Sequence, residues 1–153
     1  MQLNEILSED RIACDVEAPS KKRALEHLSQ LLSIDQQYLS PADIFESLIS
    51  RERLGSTGIG YGVAIPHGRI KNSDHISAAF IQLKTGIDFD AIDEKPVDLL
   101  FALVVPEDST ENHLQTLAAL ANMFSDTQLR EQLRTAGTPA ALLKLIQERQ
   151  ELH

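Results

Sequence analysis

The chain has no tryptophan, a single cysteine and few aromatic residues, 5% of 153. With Cys14 alone no intrachain disulfide can form, which fits a reducing compartment and leaves core burial to hold the fold. No apolar run is long enough to span a bilayer as a helix, so membrane insertion is not predicted. The opening MQLNEILSEDR has no basic stretch leading into an apolar one, so no signal peptide is read and a cytoplasmic location is expected. Basic residues are also scarce: 14 Lys and Arg stand against 23 Asp and Glu, for a net charge of -9. A general nucleic-acid binder needs a cationic face to displace counterions, so that partner class is excluded. Neither HExxH nor a Cys/His cluster occurs, and Asp88, Asp90, Asp93, Glu94 and Asp98 lack calcium-loop spacing, so they read as a solvated turn and no metal is expected.

What is present suits one globular domain over 1–153, with 42% hydrophobic and 24% charged residues. Ser20 suits an N-cap for a helix burying Ala24, Leu25, Leu28, Leu31 and Leu32. Ser40-Pro41 starts a second helix that buries Ile44, Phe45, Leu48 and Ile49 and ends near Arg53. Short β-type runs follow at Val63 to Ile65, Ile76 to Leu83 and Val97 to Val105, with Arg11 to Val16 as a further strand. VDLLFALVV is apolar almost throughout, as expected of a strand covered on both faces. From about Thr110 the chain is helical again, with Leu114, Leu117, Leu120 and Ala121 in one stripe and Ser125-x-x-Gln128 as a capping box for the next helix. Gly137, Thr138 and Pro139 end that helix and start the last. The predicted fold class is α/β (α+β): a mixed central sheet with helices packed on both faces.

Five of the seven glycines fall within GSTGIGYGVAIPHG, residues 55–68. Glycine is costly to order and useful for tight turns or close backbone approach, so this concentration has a purpose. No GK[ST] ends the stretch, and no G-x-G-x-x-G lies between a strand and a helix, so nucleotide-binding loops are ruled out and no cofactor is expected. What remains is a stiff loop presenting His67, with Pro66 fixing the backbone before it and Gly68 leaving space after it.

Gly58-Ile-Gly-Tyr-Gly-Val-Ala-Ile-Pro-His67-Gly68 resembles the phosphorylation-site signature of the type 2 enzyme IIA proteins of the bacterial phosphotransferase system, the mannitol/fructose family. Ser20-Lys-Lys-Arg-Ala, Arg51-Glu-Arg-Leu-Gly-Ser-Thr-Gly, Phe89-Asp-Ala-Ile-Asp and Pro96-Val-Asp-Leu-Leu-Phe-Ala-Leu-Val-Val-Pro106 resemble its nitrogen-regulatory branch. The likeness runs over about 3–149. It implies that His67 accepts a phosphoryl group at Nε2 from an HPr-like carrier protein. It further implies that Arg51 clamps the phosphoryl oxygens, as a guanidinium can, and that His113 gives hydrogen-bond support. Arg53 is a rival to Arg51, but residues two apart on a helix point to different sides. His113 would lie in the first turn of a helix capped by Thr110, where the dipole disfavours positive charge. Partners in relatives include potassium-transport and sensor proteins, which the phosphorylation state would control.

An isolated histidine is ordinarily structural, and only its motif singles out His67. His27 reads as half covered on the first helix, while His75, at the start of a strand, and His153, near the end, are assigned no role. Ile59, Tyr61, Ile65 and Ile70 would suit a docking rim, although such residues more often form core. Two other functions compete: a sugar-transport enzyme IIA passing phosphate to a IIB partner, and a binding module that needs no phosphate.

Overall fold

The computed structural model describes residues 3–109 and 111–151, with the placements of Thr110, the predicted cap, and of His153 outside them. A short helix α1 (Leu3–Ile6) and a 3-10 turn (Glu9–Arg11) lead into strand β1 (Ile12–Val16). Helices α2 (Lys21–Ser33) and α3 (Pro41–Arg53) follow. Ser20 caps α2 by accepting from the Arg23 amide, and Ser40 and Asp43 form a capping box on α3. Four strands come next, β2 (Gly58–Gly60), β3 (Val63–Ala64), β4 (His67–Ile70) and β5 (Ser77–Ile87), and then β6 (Val97–Pro106). Helices α4 (Glu111–Phe124), α5 (Thr127–Thr135) and α6 (Pro139–Glu151) complete the described chain.

The strands form one mixed sheet in the order β1-β5-β6-β3-β2, and β4 also pairs with β6. Strand β6 is its spine, and its continuous apolar run is two interleaved faces. Leu100, Ala102 and Val104 join Ala79 and Ile81 of β5 beneath α2 and α3, where Leu25, Leu28, Ile44 and Leu48 are fully buried. Leu99, Phe101 and Leu103 join Ala78 and Phe80 on the opposite side, packed with Phe124, Leu133, Leu142 and Ile146 from α4, α5 and α6. Helices thus cover both faces, as the pattern predicts.

Several local details depart from the sequence reading. Leu114 is 66% exposed and stands outside the buried stripe of α4, whose core residues include Leu120, Met123 and Phe124. Asp126, not Ser125, caps α5, because its carboxylate accepts from the Leu129 amide. His75 lies before β5, with Nδ1 on Asp74 at 2.6 Å and Nε2 on Asp35 at 2.9 Å. Burial works against its charged form, but the two carboxylates outweigh that and raise its pKa above 6.5. The capping residues fit the rule equally well in either register, so sequence alone does not choose between Ser125 and Asp126.

The largest difference concerns His67, which opens a strand instead of sitting in a loop. Strands β3 and β4 run parallel to β6 in succession, with Val63 opposite Leu99 and His67 opposite Leu103. Only Ile65 and Pro66 interrupt them, and the Pro66 carbonyl still accepts from Leu103 N at 2.9 Å. Proline has no amide hydrogen to give a ladder, so it belongs at such an interruption on a sheet edge. Immediately afterwards, Gly68 faces α3. A Cβ there would strike the Ser47 side chain and come within 3.3 Å of its backbone carbonyl carbon. The absent side chain at 68 therefore sets how closely α3 lies on β4. Gly68→Ala is expected to destabilise the fold by about 1–3 kcal/mol through overpacking; a urea midpoint equal to that of the wild type would remove this role.

Candidate functional site

Strand β4, helix α3 and the first turn of α4 enclose an open cleft of about 770 Å³, lined among others by Arg51, His67, Arg69 and His113. Helix α3 belongs to one helical layer and α4 to the other, so the cleft lies at the sheet edge where the layers meet. The rings of His67 and His113 are 5.1 Å apart between centroids and tilted by 52°.

His67 Nδ1 lies 2.8 Å from the Ile65 carbonyl oxygen. A carbonyl only accepts, so Nδ1 carries the proton in the neutral ring and Nε2 keeps its lone pair. Nε2 has no hydrogen-bond partner among the described residues. Burial is the main influence on this ring and lowers its pKa below 6.5. The Ile65 carbonyl opposes that shift, Arg51 reinforces it and Glu52 opposes it, leaving the net direction downward. His113, 8% exposed, is also shifted down, first by burial and then by the positive fields of His67, Arg69 and Arg51. Both rings are therefore held neutral over a wider pH range than a free imidazole. His113 Nδ1 is buried without a hydrogen-bond partner among the described residues.

Arg51 reaches the cleft from the last turn of α3, and its Nη1 donates to the Gly55 carbonyl at 2.8 Å. That bond ties the guanidinium to the first glycine of the rich stretch. Arg53 does not line the cleft; its Nη1 lies 3.9 Å from Glu46 on an exposed surface. The separation of these arginines follows from the helical rotation between them. It is fixed by Glu52, whose side chain is only 2% exposed.

Glu52 is the residue that sequence reasoning missed. Its Oε1 accepts from Thr57 N at 3.1 Å and pairs with Lys21 Nζ at 2.9 Å, while its Oε2 accepts from the Thr57 hydroxyl. Lys21 in turn lies over the Phe89 ring, 4.5 Å from its centroid, and donates to the Phe89 carbonyl. A buried carboxylate needs such partners. They bind the end of α3 to α2 and to Thr57, just ahead of β2 in the glycine-rich segment. The usable signal was a glutamate between two arginines, together with a lysine just after a helix cap, but nothing local pairs them.

The glycine-rich segment itself forms the β2–β3 hairpin, with positive φ at Gly60, Tyr61 and Gly62. Tyr61 is exposed at its tip, with the Arg130 guanidinium 4.4 Å from the ring centroid. At Gly62 a Cβ would strike the Arg134 guanidinium, which pairs with Asp98 at 2.9 Å and bonds the Tyr61 carbonyl. Of the suggested docking residues, Ile65 and Ile70 are buried and Ile59 is partly buried, so they serve mainly as core. His27 is half-buried and its pKa is lowered by burial, in keeping with a structural place on α2. No group of His, Cys, Asp and Glu among the described residues has the geometry of a metal site, and no described helix is long and apolar enough to cross a membrane.

Known proteins share this sequence and architecture. The family model described as "Phosphoenolpyruvate-dependent sugar phosphotransferase system, EIIA 2" matches residues 5–149. The chain is 45% identical over 150 residues to a nitrogen regulatory protein of Klebsiella oxytoca, covering 97% of this chain and 91% of that protein. It is 42% identical over 146 residues to one from Pseudomonas aeruginosa, covering 95% of each. The crystal structure of nitrogen regulatory protein IIA-Ntr from Neisseria meningitidis superposes with a TM-score of 0.88 at 45% identity, over 93% of this chain and 97% of that one. The mannitol IIA of Escherichia coli, at 22% identity and a TM-score of 0.77 over 92% of this chain and 98% of that one, shares the fold. By sequence over nearly its whole length and by architecture, the chain belongs to the EIIA 2 family of the phosphoenolpyruvate-dependent phosphotransferase system, in its nitrogen-regulatory branch.

Proposed function

We propose that the protein accepts a phosphoryl group on Nε2 of His67 from an HPr-like carrier and controls partner proteins through its two phosphorylation states. The observation that carries this reading is the Nδ1 bond to the Ile65 carbonyl, which leaves Nε2 as the nucleophilic nitrogen in an open cleft. In the transfer, the Nε2 lone pair forms the new N–P bond as the donor's N–P bond breaks. The bonding pair returns to the donor nitrogen, and the proton on Nδ1 stays in place against Ile65. Arg51 neutralises the phosphoryl oxygens with charge-assisted hydrogen bonds, already oriented by Gly55. His113 supports the group as a neutral donor, and positioning with charge neutralisation is most of what phosphoryl transfer requires.

Modification adds about 1.5 to 2 negative charges at one point on the surface. Beside a cleft lined by cations, such a change remakes the local interface without any small-molecule product. The potassium-transport and sensor proteins expected from the resemblance are suitable readers. The single cysteine fits a cytoplasmic setting for this exchange.

Incubation with enzyme I, an HPr-like carrier and labelled phosphoenolpyruvate is expected to place acid-labile label on His67, and His67→Ala to lose it. Label on another residue, or undiminished labelling of the variant, would reject the proposal. Arg51→Ala and His113→Ala are each expected to slow transfer by about 10- to 100-fold, the worth of a hydrogen bond to a charged group, with the fold intact. Wild-type rates would remove either residue from the site. Because the His67 pKa is shifted below 6.5, the acid limb of transfer should lie below pH 6.5. Arg51→Ala withdraws a depressing charge, so its limb should move to higher pH; a shift to lower pH would contradict the electrostatics. Rapid discharge to a sugar-specific IIB protein in the presence of its sugar would instead favour the transport function.

A further inference from the structure

Besides Arg51, the cleft is lined by Arg69 and Lys71, and of these two only Arg69 lies on the strand that carries His67. Strand β4 turns Gly68 and Ile70 toward the α3 layer, where Gly68 meets Ser47 and Ile70 joins the core. Side chains alternate along a strand, so His67 and Arg69 share the other side. Both line the cleft with His113. The Arg69 backbone is fixed by its pairing opposite Val105 and by the Ser47 hydroxyl, which donates to its carbonyl at 3.4 Å. Its guanidinium, by contrast, makes no hydrogen bond or ion pair among the described residues.

That freedom sets it apart from the other arginines. Each of the other arginines has at least one such partner among the described residues, including exposed Arg23 on Glu26 and Arg53 on Glu46. Arg51 itself is partly committed to Gly55. In a protein with 23 acidic residues, Arg69 has its five donors unspent, on the strand that carries the nucleophile. Its field also reaches the neutral ring of His113. A phosphoryl on His67 has more oxygen lone pairs than Arg51 and His113 together can satisfy.

Building on the reading of His67 as phosphoryl acceptor, we propose that Arg69 is a second phosphoryl-binding arginine, donating from β4 to oxygens of the group on His67 while Arg51 donates from α3. It takes no proton and forms no covalent bond. The N–P bond to His67 forms as the donor's N–P bond breaks, and the leaving electron pair stays on the donor nitrogen. The two arginines differ in duty: Arg51 is pre-oriented by its carbonyl tether, whereas Arg69 is free to close on the phosphoryl once it arrives.

Phosphoramidate, a small donor that bypasses carrier docking, provides the test alongside the phosphorylated HPr-like carrier. Arg69→Ala should load from either donor about 10-fold more slowly than the wild type, with an unchanged unfolding midpoint. The phosphorus NMR titration of phospho-His67 should move to higher pH in the variant, because a cation that favoured the dianion is gone. Arg69→Lys should restore part of both effects, since it keeps the charge and loses the planar fork. Slow loading from the carrier alone, with a normal phosphoramidate rate and normal titration, would make Arg69 a docking residue and overturn the proposal. Wild-type behaviour of Arg69→Ala with both donors would overturn it too, leaving His67 as acceptor untouched. Failure of the wild-type protein to load at His67 from either donor would instead remove the underlying reading and this proposal with it.

Discussion

The site depends on one bond, from His67 Nδ1 to the carbonyl two residues earlier. The bond exists because the strand path beside β6 is broken at Ile65 and Pro66 before it resumes at His67. The Ile65 amide is taken by Thr57 and the Pro66 carbonyl by Leu103, so the peptide units around the ring have little freedom. The tautomer is thereby set by the backbone and needs no neighbouring carboxylate. A carboxylate in that place would hold the ring protonated more readily, whereas a neutral carbonyl orients it and leaves a usable lone pair.

Neutrality is reinforced by placement. Both histidines lie where burial disfavours their charged forms, and the nearby cations act in the same direction. An acidic chain thus maintains a locally cationic cleft beside two uncharged imidazoles. The arrangement suits a group that arrives carrying negative charge. In the proposed function, oxygen acceptors would meet Arg51, already tethered to Gly55, in a partly desolvated setting where such bonds are stronger.

Helix α3 supplies both the support and the cation. Glu52 turns inward and joins Lys21 and Thr57, and this fixes the rotation that brings Arg51 to the cleft and leaves Arg53 outside it. Close seating of the same helix on β4 is allowed by Gly68. Two separate features of sequence, a buried glutamate on α3 and a glycine after the histidine on β4, thus control one geometry from opposite sides. The hairpin at Tyr61 is anchored separately through Arg134 and Asp98, so the glycines serve several contacts, not one turn.

Much of this was legible in the residues alone. Capped helical stripes, the apolar β6 run and the mixed sheet covered on both faces follow from periodicity, because burial on a helix or a strand repeats at fixed intervals. Ser20 and Ser40 act locally, and their caps are readable for that reason, whereas adjacent Ser125 and Asp126 are both competent and only the chain path selects Asp126. The glycine-rich motif singled out His67. Its position at the start of a strand was hidden, because four residues with a single apolar side chain, Ile70, give no clear alternation, and the pairing that makes them a strand comes from β6. The distance between His67 and His113, the inward turn of Glu52 and the unpaired state of Arg69 likewise belong to the tertiary structure. Each depends on segments far apart in the chain being brought to one sheet edge, and no local pattern encodes that meeting.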